Sequence, residues 1–359
     1  MAFNFLDAFK DAATDERFIR EAQEIIRSSV FTDNINNAFT IVPNIKGRQQ
    51  IVVARDIEKV SRKEDGCNSV SINPDIPALS QEWDPTRVKV NIKKCYTEFE
   101  GAFTQWQLAN GYDVHNIEEA TFATWLVSFY VDAMTKDLNR VVLMGDTDIA
   151  VDPILKDAAT DEQNYDFIKK GLVPTLQQLQ ADPAFAANIV TYTQNYATGA
   201  QYVFADGDVR NLLREVTDTA DYDANQLFMD RSSYRAYRKE FQNPAVYPLD
   251  STARAITNGL ADLSFDGIPI RWSNQYDRSR KNDFQGLVAD GLDPLTDTHL
   301  PHFLCYTDKS NLQVGVDSLS ALSDLKLEYI GGDDESFYMK GNYMLDFKIP
   351  NPYNLKAAI

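Results

Sequence analysis

Histidine and cysteine are scarce in this chain, and their scarcity limits the chemistry that it can perform. Its 359 residues include three histidines and three widely separated cysteines, Cys67, Cys95 and Cys305. That spacing indicates neither a disulfide framework nor a zinc site, so we expect reduced thiols. The sequence also contains no glycine-rich phosphate loop and no nucleophile-elbow motif. These absences argue against nucleotide-dependent enzymes and against hydrolases with a serine nucleophile.

Long apolar runs are missing as well. No stretch is long and apolar enough to cross a bilayer. The first residues lead directly to Asp7, Lys10 and Asp11, without the apolar region of a signal peptide. We therefore predict no membrane partner.

Negative charge is in excess and is unevenly distributed. The chain has 35 Lys and Arg against 53 Asp and Glu, a formal net charge of −18. This balance argues against a dedicated nucleic-acid binder, although an acidic shell lining can coexist with enclosed DNA. Residues 38–104 include ten basic and nine acidic residues. The rest of the chain therefore has 25 basic and 44 acidic residues. A near-neutral segment on an acidic body is complementary to another copy of that body, but an ordinary solvated surface gives the same imbalance.

The candidate catalytic and metal-binding groups are weak. His299 and His302 have metal-like spacing, but a proline stands between them, and such a pair is a poor metal site without Cys or carboxylate partners. Asp146, Asp148 and Asp152 lack the glycine and the closing glutamate of a calcium loop. We predict no catalytic residue, no cofactor site and no metal site. The paired carboxylates of a glycoside hydrolase stay open as an alternative, because acids are plentiful.

The strongest positive signal is one long helix, predicted over 117–144. Asn116 is a plausible N-cap, and Glu119 stands at capping-box spacing from it. Gly145 follows where a left-handed residue is expected to end the helix. Apolar residues recur at steps of three, four or five: Phe122, Leu126, Phe129, Tyr130, Ala133, Leu138, Val141 and Val142. At ~1.5 Å per residue the rod is roughly 42 Å long, enough to span a domain. A long core helix of an ordinary α/β protein is the alternative.

Short strand patterns precede and follow this helix. The clearest covers 87–99, where Val88, Val90 and Ile92 alternate with Arg87, Lys89, Asn91 and Lys93. Further strands are predicted at 38–42, 49–55, 189–192, 226–229, 303–307, 312–316, 325–330 and 336–349. Helices are predicted at 165–180 with a kink or break at Pro174, after an Asp206 or Asp208 cap, and around Tyr234 and Tyr237. Asp266-Gly267 is a hairpin signal.

The order of these features resembles the major capsid proteins of tailed double-stranded-DNA bacteriophages, the Hong Kong 97-like fold. Local sequence at 225–230, at Gly267-Ile-Pro-Ile270 and at 340–349 is similar to that family. The resemblance implies an α+β fold. Its parts would be an N-terminal arm (1–37), an extended β-hairpin loop with the start of the peripheral domain (38–104), a peripheral domain with a spine helix (105–160), an α/β axial domain (161–310) and C-terminal strands returning to the peripheral domain (311–359).

The same resemblance implies a structural protein and not an enzyme. Such a protein would assemble with itself into the hexamers and pentamers of an icosahedral head in the bacterial host cytoplasm. The head would become part of the virion and enclose double-stranded DNA without sequence-specific binding. Scaffold and portal proteins are the further partners expected. An encapsulin-like compartment of the same fold, which would hold a protein cargo, is one alternative. An acidic hydrolase or carbohydrate-binding protein is the other.

Four residues are candidates for contacts between copies. Trp83 could anchor the extended loop through apolar contact, and Arg87, Lys89 and Lys93 could meet an acidic neighbour.

Overall fold

The computed structural model describes residues 38–54, 78–95, 105–106, 109, 119–147, 168–191, 207–240, 263–283, 302–317, 326–330 and 336–359. Strands and helices are both present in these ranges, so the protein is a mixed α+β protein. The strands are β1 (Thr40–Val42), β2 (Gln49–Ala54), β3 (Ala78–Trp83), β4 (Thr86–Cys95), β5 (Ile189–Val190), β6 (Gln226–Asp230), β7 (Ser264–Phe265), β8 (Ile268–Ser273), β9 (Leu304–Thr307), β10 (Gln313–Val316), β11 (Lys326–Ile330), β12 (Ser336–Lys348) and β13 (Leu355–Ala358). The α-helices are α1 (Glu119–Met144), α2 (Leu172–Ala181), α3 (Asp208–Asp218), α4 (Arg231–Glu240) and α5 (Asn274–Asp283).

The first sheet is built around β12, which is 13 residues long. β4 pairs antiparallel with its first ten residues, from Ser336↔Cys95 to Leu345↔Thr86. On the other side, β11 pairs with the start of β12 and β10 with its end, both antiparallel. β1 then adds parallel to β10. One long strand therefore connects β4 to the C-terminal part of the chain.

The second sheet is mixed, with the order β5-β13-β9-β6-β8-β7. Helices α3 and α4 cover one of its faces, because their apolar sides share one core with the strands. That core includes Val209, Leu213, Val216, Leu227, Met229, Tyr237, Ile270, Leu304 and Tyr306. The sheet was predicted only in part, since β13 pairs between β5 and β9 and has no distinct sequence pattern.

A chain of buried aromatic rings joins the two sheets. Phe347 of β12 contacts Phe39 edge-on, with ring centroids 5.8 Å apart. Phe39 contacts Phe228 of β6 at 5.3 Å, and Phe228 contacts Phe303 at 5.4 Å. Phe303 in turn meets Tyr276 of α5 at 5.0 Å. Full burial of such a side chain contributes roughly 1.5–3 kcal/mol, so these five rings are a main reason that the sheets stay together.

The long helix is confirmed, and its end shows a different cause from the one predicted. Gly145 follows Met144, but it does not have the left-handed backbone of Gly207 and Gly267. A Cβ at Gly145 would lie 2.4 Å from Ile168 and 2.6 Å from the Val141 carbonyl oxygen. Glycine is therefore required here because another segment packs closely against the helix end.

Two other predictions about α1 and α2 need correction. Phe129, placed on the buried stripe of α1 by its spacing, is 49% exposed and stacks on Trp125. Pro174 was predicted to kink or break a helix over 165–180. It lies instead in the first turn of α2, which begins at Leu172. Proline is tolerated there because the first N–H groups of a helix have no partner within the helix.

The predictions for the polar turns are confirmed only in part. Asp266 and Gly267 both have positive φ, 50° and 80°, as a tight hairpin turn requires, and they join β7 to β8 as predicted. Asp208 does not cap α3, because Gly207 occupies the N-cap position. The turn Lys309–Asn311 was expected between two strands, and it connects strands of different sheets, β9 and β10. Helix α5 was not predicted.

Several predictions fall outside the described residues. They are the arm at 1–37, the possible cap Asn116, His299, Asp148, Asp152, Asp206 and the end of the strand at 87–99 beyond Cys95. Where the chain is described, no helix is both long and apolar enough to cross a membrane. The domain boundaries stay predictions.

Candidate assembly surface

The base of the β2–β3 hairpin is fixed on the first sheet by Trp83. This indole is 4% exposed and lies on Gly315 of β10. A Cβ at position 315 would be 2.7 Å from Trp83 Cζ3, so the ring occupies the space that a side chain would need. Trp83 was predicted to anchor a contact between copies. Its ring is already used within its own chain, so only a small exposed fraction is left for a neighbour.

Polar contacts at Asp84 and Gln81 fix the same base. The Asp84 carboxylate accepts hydrogen bonds from Lys169 and, at 3.3 Å, from Arg48. The bond from Lys169, followed by that from Arg48, holds the pKa of Asp84 below its ordinary value. The Asp84 N–H donates to Asp346 Oδ2 at 2.8 Å, and the Gln81 side chain donates to the Ile349 carbonyl at 2.9 Å. Three separate segments thus hold the base of the hairpin.

Asp346 lies beneath this base, and its burial affects the pKa of its carboxyl group. The residue is 1% exposed, and burial raises the pKa of its carboxyl group. Lys348 Nζ, 3.6 Å away, and the N–H groups of Asp84 and Phe347 act in the opposite direction. The carboxylate is a structural acceptor that joins the hairpin to β12.

The hairpin beyond this base has an exposed face. β2 and β3 pair antiparallel from Gln49↔Trp83 to Ala54↔Ala78. Among the described residues they form a separate two-stranded sheet. Gln50, Val52, Ser80 and Glu82 are exposed on it, and Val52 is 59% exposed. A two-stranded ribbon is marginally stable in water by itself, so a covering surface would stabilise it.

The alternation predicted for β4 is confirmed. Arg87, Lys89 and Lys93 are exposed, whereas Val88 is 6% exposed and faces the core. Cross-strand partners share a face, and Asn91 pairs with Lys340 of β12. Lys93 Nζ and Lys340 Nζ lie 5.4 and 5.2 Å from the centroid of the Tyr338 ring. This basic strip (Arg87, Lys89, Lys93 and Lys340) lies on a protein with a net charge of −18.

A buried cluster that sequence reasoning missed lies at the start of α4. His302 Nδ1 is 2.8 Å from Asp230 Oδ2, and the two residues are 1% and 0% exposed. Ser233 donates to Asp230 through its N–H at 3.0 Å and its hydroxyl at 2.6 Å. Burial by itself would raise the pKa of Asp230, but the interaction with His302 and the bonds from Ser233 outweigh it and lower the pKa. Asp230 is the helix cap, and His302 is a further hydrogen-bond partner of its buried carboxyl group.

Asp277 extends this cluster into a group with metal-like spacing. Asp230, Asp277 and His302 each place a possible ligand atom within 4.8 Å of the others. Asp277 accepts the Ser232 N–H at 2.8 Å and the Ser232 hydroxyl at 2.9 Å. Phe303 N–H adds a further bond to Asp230 Oδ1 at 3.3 Å. Because protein donors already occupy these carboxylates, the cluster is best explained as the joint between α4, α5 and β9. His302 had been noticed only for its spacing from His299.

Similarity to known proteins is visible only in structure. No family model matches the sequence, and no curated protein matches it. Among solved structures, the satellite phage P4 procapsid that includes the size determination (Sid) protein contains a similar chain. It is 9% identical, with a TM-score of 0.51, and the match covers 94% of this chain and 98% of that one. At this level of identity the likeness concerns the fold alone.

Two further matches have TM-scores below 0.5. One is to Mycobacterium phage Adephagia, with a TM-score of 0.48, 11% identity and coverage of 91% and 89%. The other is to a virus-like particle from Pyrococcus furiosus, with a TM-score of 0.38, 10% identity and coverage of 94% and 98%.

Proposed function

Because the chain has the fold of a phage capsid protein, we propose that it is the major subunit of a phage or prophage head. The observation that carries this proposal is the extent of the likeness, which includes nearly the whole of both chains. A fold by itself does not imply a function, so the proposal also needs surfaces suited to assembly. The β2–β3 hairpin and the basic strip on β4 and β12 are proposed as these surfaces.

In this proposal the β2–β3 hairpin is the extended loop, and it reaches over a neighbouring subunit. Its base is rigid because Trp83 and Asp84 are held by the first sheet. Its exposed face carries Val52, and α1 carries the exposed Phe129. Covering such apolar groups on assembly is favourable by about 25 cal/mol per Å² of apolar surface. Helix α1 would be the spine of the peripheral domain, and the second sheet would be the core of the axial domain.

The basic strip is proposed to face acidic surface on the next copy. Each exposed ion pair contributes only ~0–1 kcal/mol, so one pair cannot hold a shell together. A shell repeats the same contact many times, and the repetition makes weak pairs effective. Complementary charge also steers the encounter and selects the correct register. The subunits would form hexamers and pentamers that close into an icosahedral head.

The remaining roles follow from the shell. The head would enclose double-stranded DNA without sequence-specific contacts, which agrees with the acidic charge of the chain. Scaffold and portal proteins would be its partners, the host cytoplasm the place of assembly and the virion its final location. No catalytic step is proposed for this protein.

Native mass measurement with negative-stain imaging, across salt concentrations, tests the proposal directly. Rings, capsomers or closed shells are the expected result. A chain that stays monomeric at every salt and protein concentration would contradict self-assembly of the isolated chain and would favour the acidic hydrolase alternative.

A shortened hairpin tests the mechanism. Removal of 44–86 would also remove Trp83 and Asp84 from the first sheet, and would therefore confuse assembly with folding. Replacing only residues 55–77 by Asn-Gly joins Ala54 to Ala78 with a two-residue hairpin turn. We expect a folded chain that no longer forms particles, with circular dichroism and thermal unfolding as controls for the fold. Particles of normal size from this variant would refute the role of the loop.

A further inference from the structure

The helical layer on the second sheet carries negative charge at one place. Glu215 and Asp218 are exposed on α3, and Asp221 and Asp223 are exposed directly after it. These four residues are called the acidic rim. Between positions 208 and 223, Arg214 is the exposed basic residue, so the rim keeps an excess of negative charge.

Positive charge lies on the neighbouring helix of the same layer. Arg231, Arg235 and Lys239 recur every four residues along α4, so they lie on one side of that helix. Arg235 and Lys239 are exposed. Arg231 is held in place because it donates to Asn274 and lies 5.5 Å from the Trp272 ring centroid. These three residues are called the basic stripe.

Glu215 of the rim and Arg235 of the stripe point away from the contact between α3 and α4. The sides of α3 and α4 that face one another are marked by Arg210 and Glu240, whose Nε and Oε2 atoms are 3.9 Å apart. At 3.6 residues per turn, Glu215 lies about 140° around α3 from Arg210, and Arg235 lies about 140° around α4 from Glu240. Glu215 and Arg235 are therefore not placed to pair with each other across the contact between α3 and α4.

We propose that the acidic rim of one copy binds the basic stripe of the next copy, head to tail. This inference rests on the proposed function and adds a third contact, separate from the hairpin and the basic strip. A contact between two different surfaces of one protein generates a ring when its rotation closes. The occupant is a second copy and not DNA, because the stripe has three cations and the same layer carries the acidic rim, which would repel a polyanion.

Two charge-reversed variants test this contact. Glu215→Lys with Asp218→Lys makes the rim basic, and Arg235→Glu with Lys239→Glu makes the stripe acidic. Each variant by itself then presents like charges at the contact. At low salt we expect each to need at least about tenfold more protein than the wild type to form rings or larger species. An equimolar mixture should restore assembly, since each variant then meets its complement in the other.

A matched control separates this contact from a change in net charge. Arg271 and Arg278 are also exposed, but Arg271 alternates with the core residue Ile270 on β8, so it lies on the sheet face opposite α4. Arg271→Glu with Arg278→Glu should assemble like the wild type. Analytical ultracentrifugation at low and high salt gives the readout, and circular dichroism verifies that every variant is folded.

Several results would overturn the inference. They are normal assembly of both reversed variants, no rescue on mixing, equal loss in the control, or a wild-type stripe that binds duplex DNA more tightly than it binds a second copy. Normal assembly of the reversed variants would leave the proposed function intact. A wild-type chain that remains monomeric would overturn this contact and self-assembly together, and the shortened hairpin then has no assembly to remove.

Discussion

His302 and Asp230 form a buried pair at the start of α4, with Nδ1 2.8 Å from Oδ2 and neither residue more than 1% exposed. Removing one partner from such a pair leaves an uncompensated polar group in the core. We expect His302→Ala to lower the free energy of unfolding by about 3 kcal/mol, measured by urea denaturation at neutral pH. Thr191→Ala changes an exposed side chain and serves as the control, with an expected effect within about 0.5 kcal/mol.

Asp230 also predicts how stability depends on pH. Its pKa in the folded protein is lower than the ordinary value of 3.8. A carboxyl group with a lowered folded pKa contributes stability that is present above the unfolded pKa and is lost as the pH falls through the folded pKa. Acid unfolding should therefore steepen below about pH 4. In Asp230→Asn this part of the pH dependence should be absent. If the loss of stability at low pH is unchanged in that variant, other carboxyl groups cause it.

Trp83 and Gly315 predict a steric effect at the base of the hairpin. A methyl group at position 315 would press on the indole at 2.7 Å. We expect Gly315→Ala to cost about 1–3 kcal/mol, as overpacking does. Gly47 has no atom within 4 Å of an added Cβ, so Gly47→Ala is the matched control. If Trp83→Phe in the Gly315→Ala background does not recover part of the loss, the two residues are not coupled as described.

Asn311 joins the turn between the two sheets to the C-terminal segment. Its amide oxygen accepts the Asn351 N–H at 2.8 Å, and its Nδ2 donates to the Asn351 carbonyl at 2.8 Å. Asn311→Ala leaves both groups unsatisfied, and we expect a loss of ~1–3 kcal/mol in thermal unfolding. Asn225, whose exposed side chain accepts one bond from Lys309 N–H, is the control, and its alanine variant should lose less. Equal losses of stability in the two alanine variants would mean that the burial of Asn311 does not strengthen its hydrogen bonds.

Charge reversal on β4 predicts a salt-dependent effect on assembly. Arg87→Glu with Lys89→Glu should reduce particle formation more at low salt than at high salt, because screening shortens the reach of exposed charges. Light scattering at both salt concentrations measures this difference. Equal reduction at both would instead indicate that folding of β4 has been lost. Thermal unfolding of the same variant distinguishes these two causes.

Much of the fold could be predicted where the signal is local. The alternation of Arg87, Val88 and Lys89 predicted β4 and its exposed face, and Asp266-Gly267 predicted the hairpin of β7 and β8. Helix α1 was predicted because its period persists over many residues. The same period misplaced Phe129, since spacing alone cannot distinguish a core side from a side that stays exposed.

Other features could not be predicted from local patterns. Helix α5 is strongly polar, so its sequence lacks the apolar stripe that reveals a helix. Asp230 and His302 are 72 residues apart, and neither is unusual in its own segment. The surfaces on α3 and α4 depend on which sides of two helices face each other, which the Arg210–Glu240 pair reveals only in three dimensions.

By itself, the sequence determined the elements with a regular period, the tight turn at Gly267 and the acidic balance, because these depend on neighbouring residues and composition. The tertiary structure decided the pairing of Asp230 with His302, the contact of Trp83 with Gly315 and the separation of acidic and basic surfaces. These features arise when distant segments are packed into one core. Burial then determines which charges need a partner within the chain and which stay available to another copy.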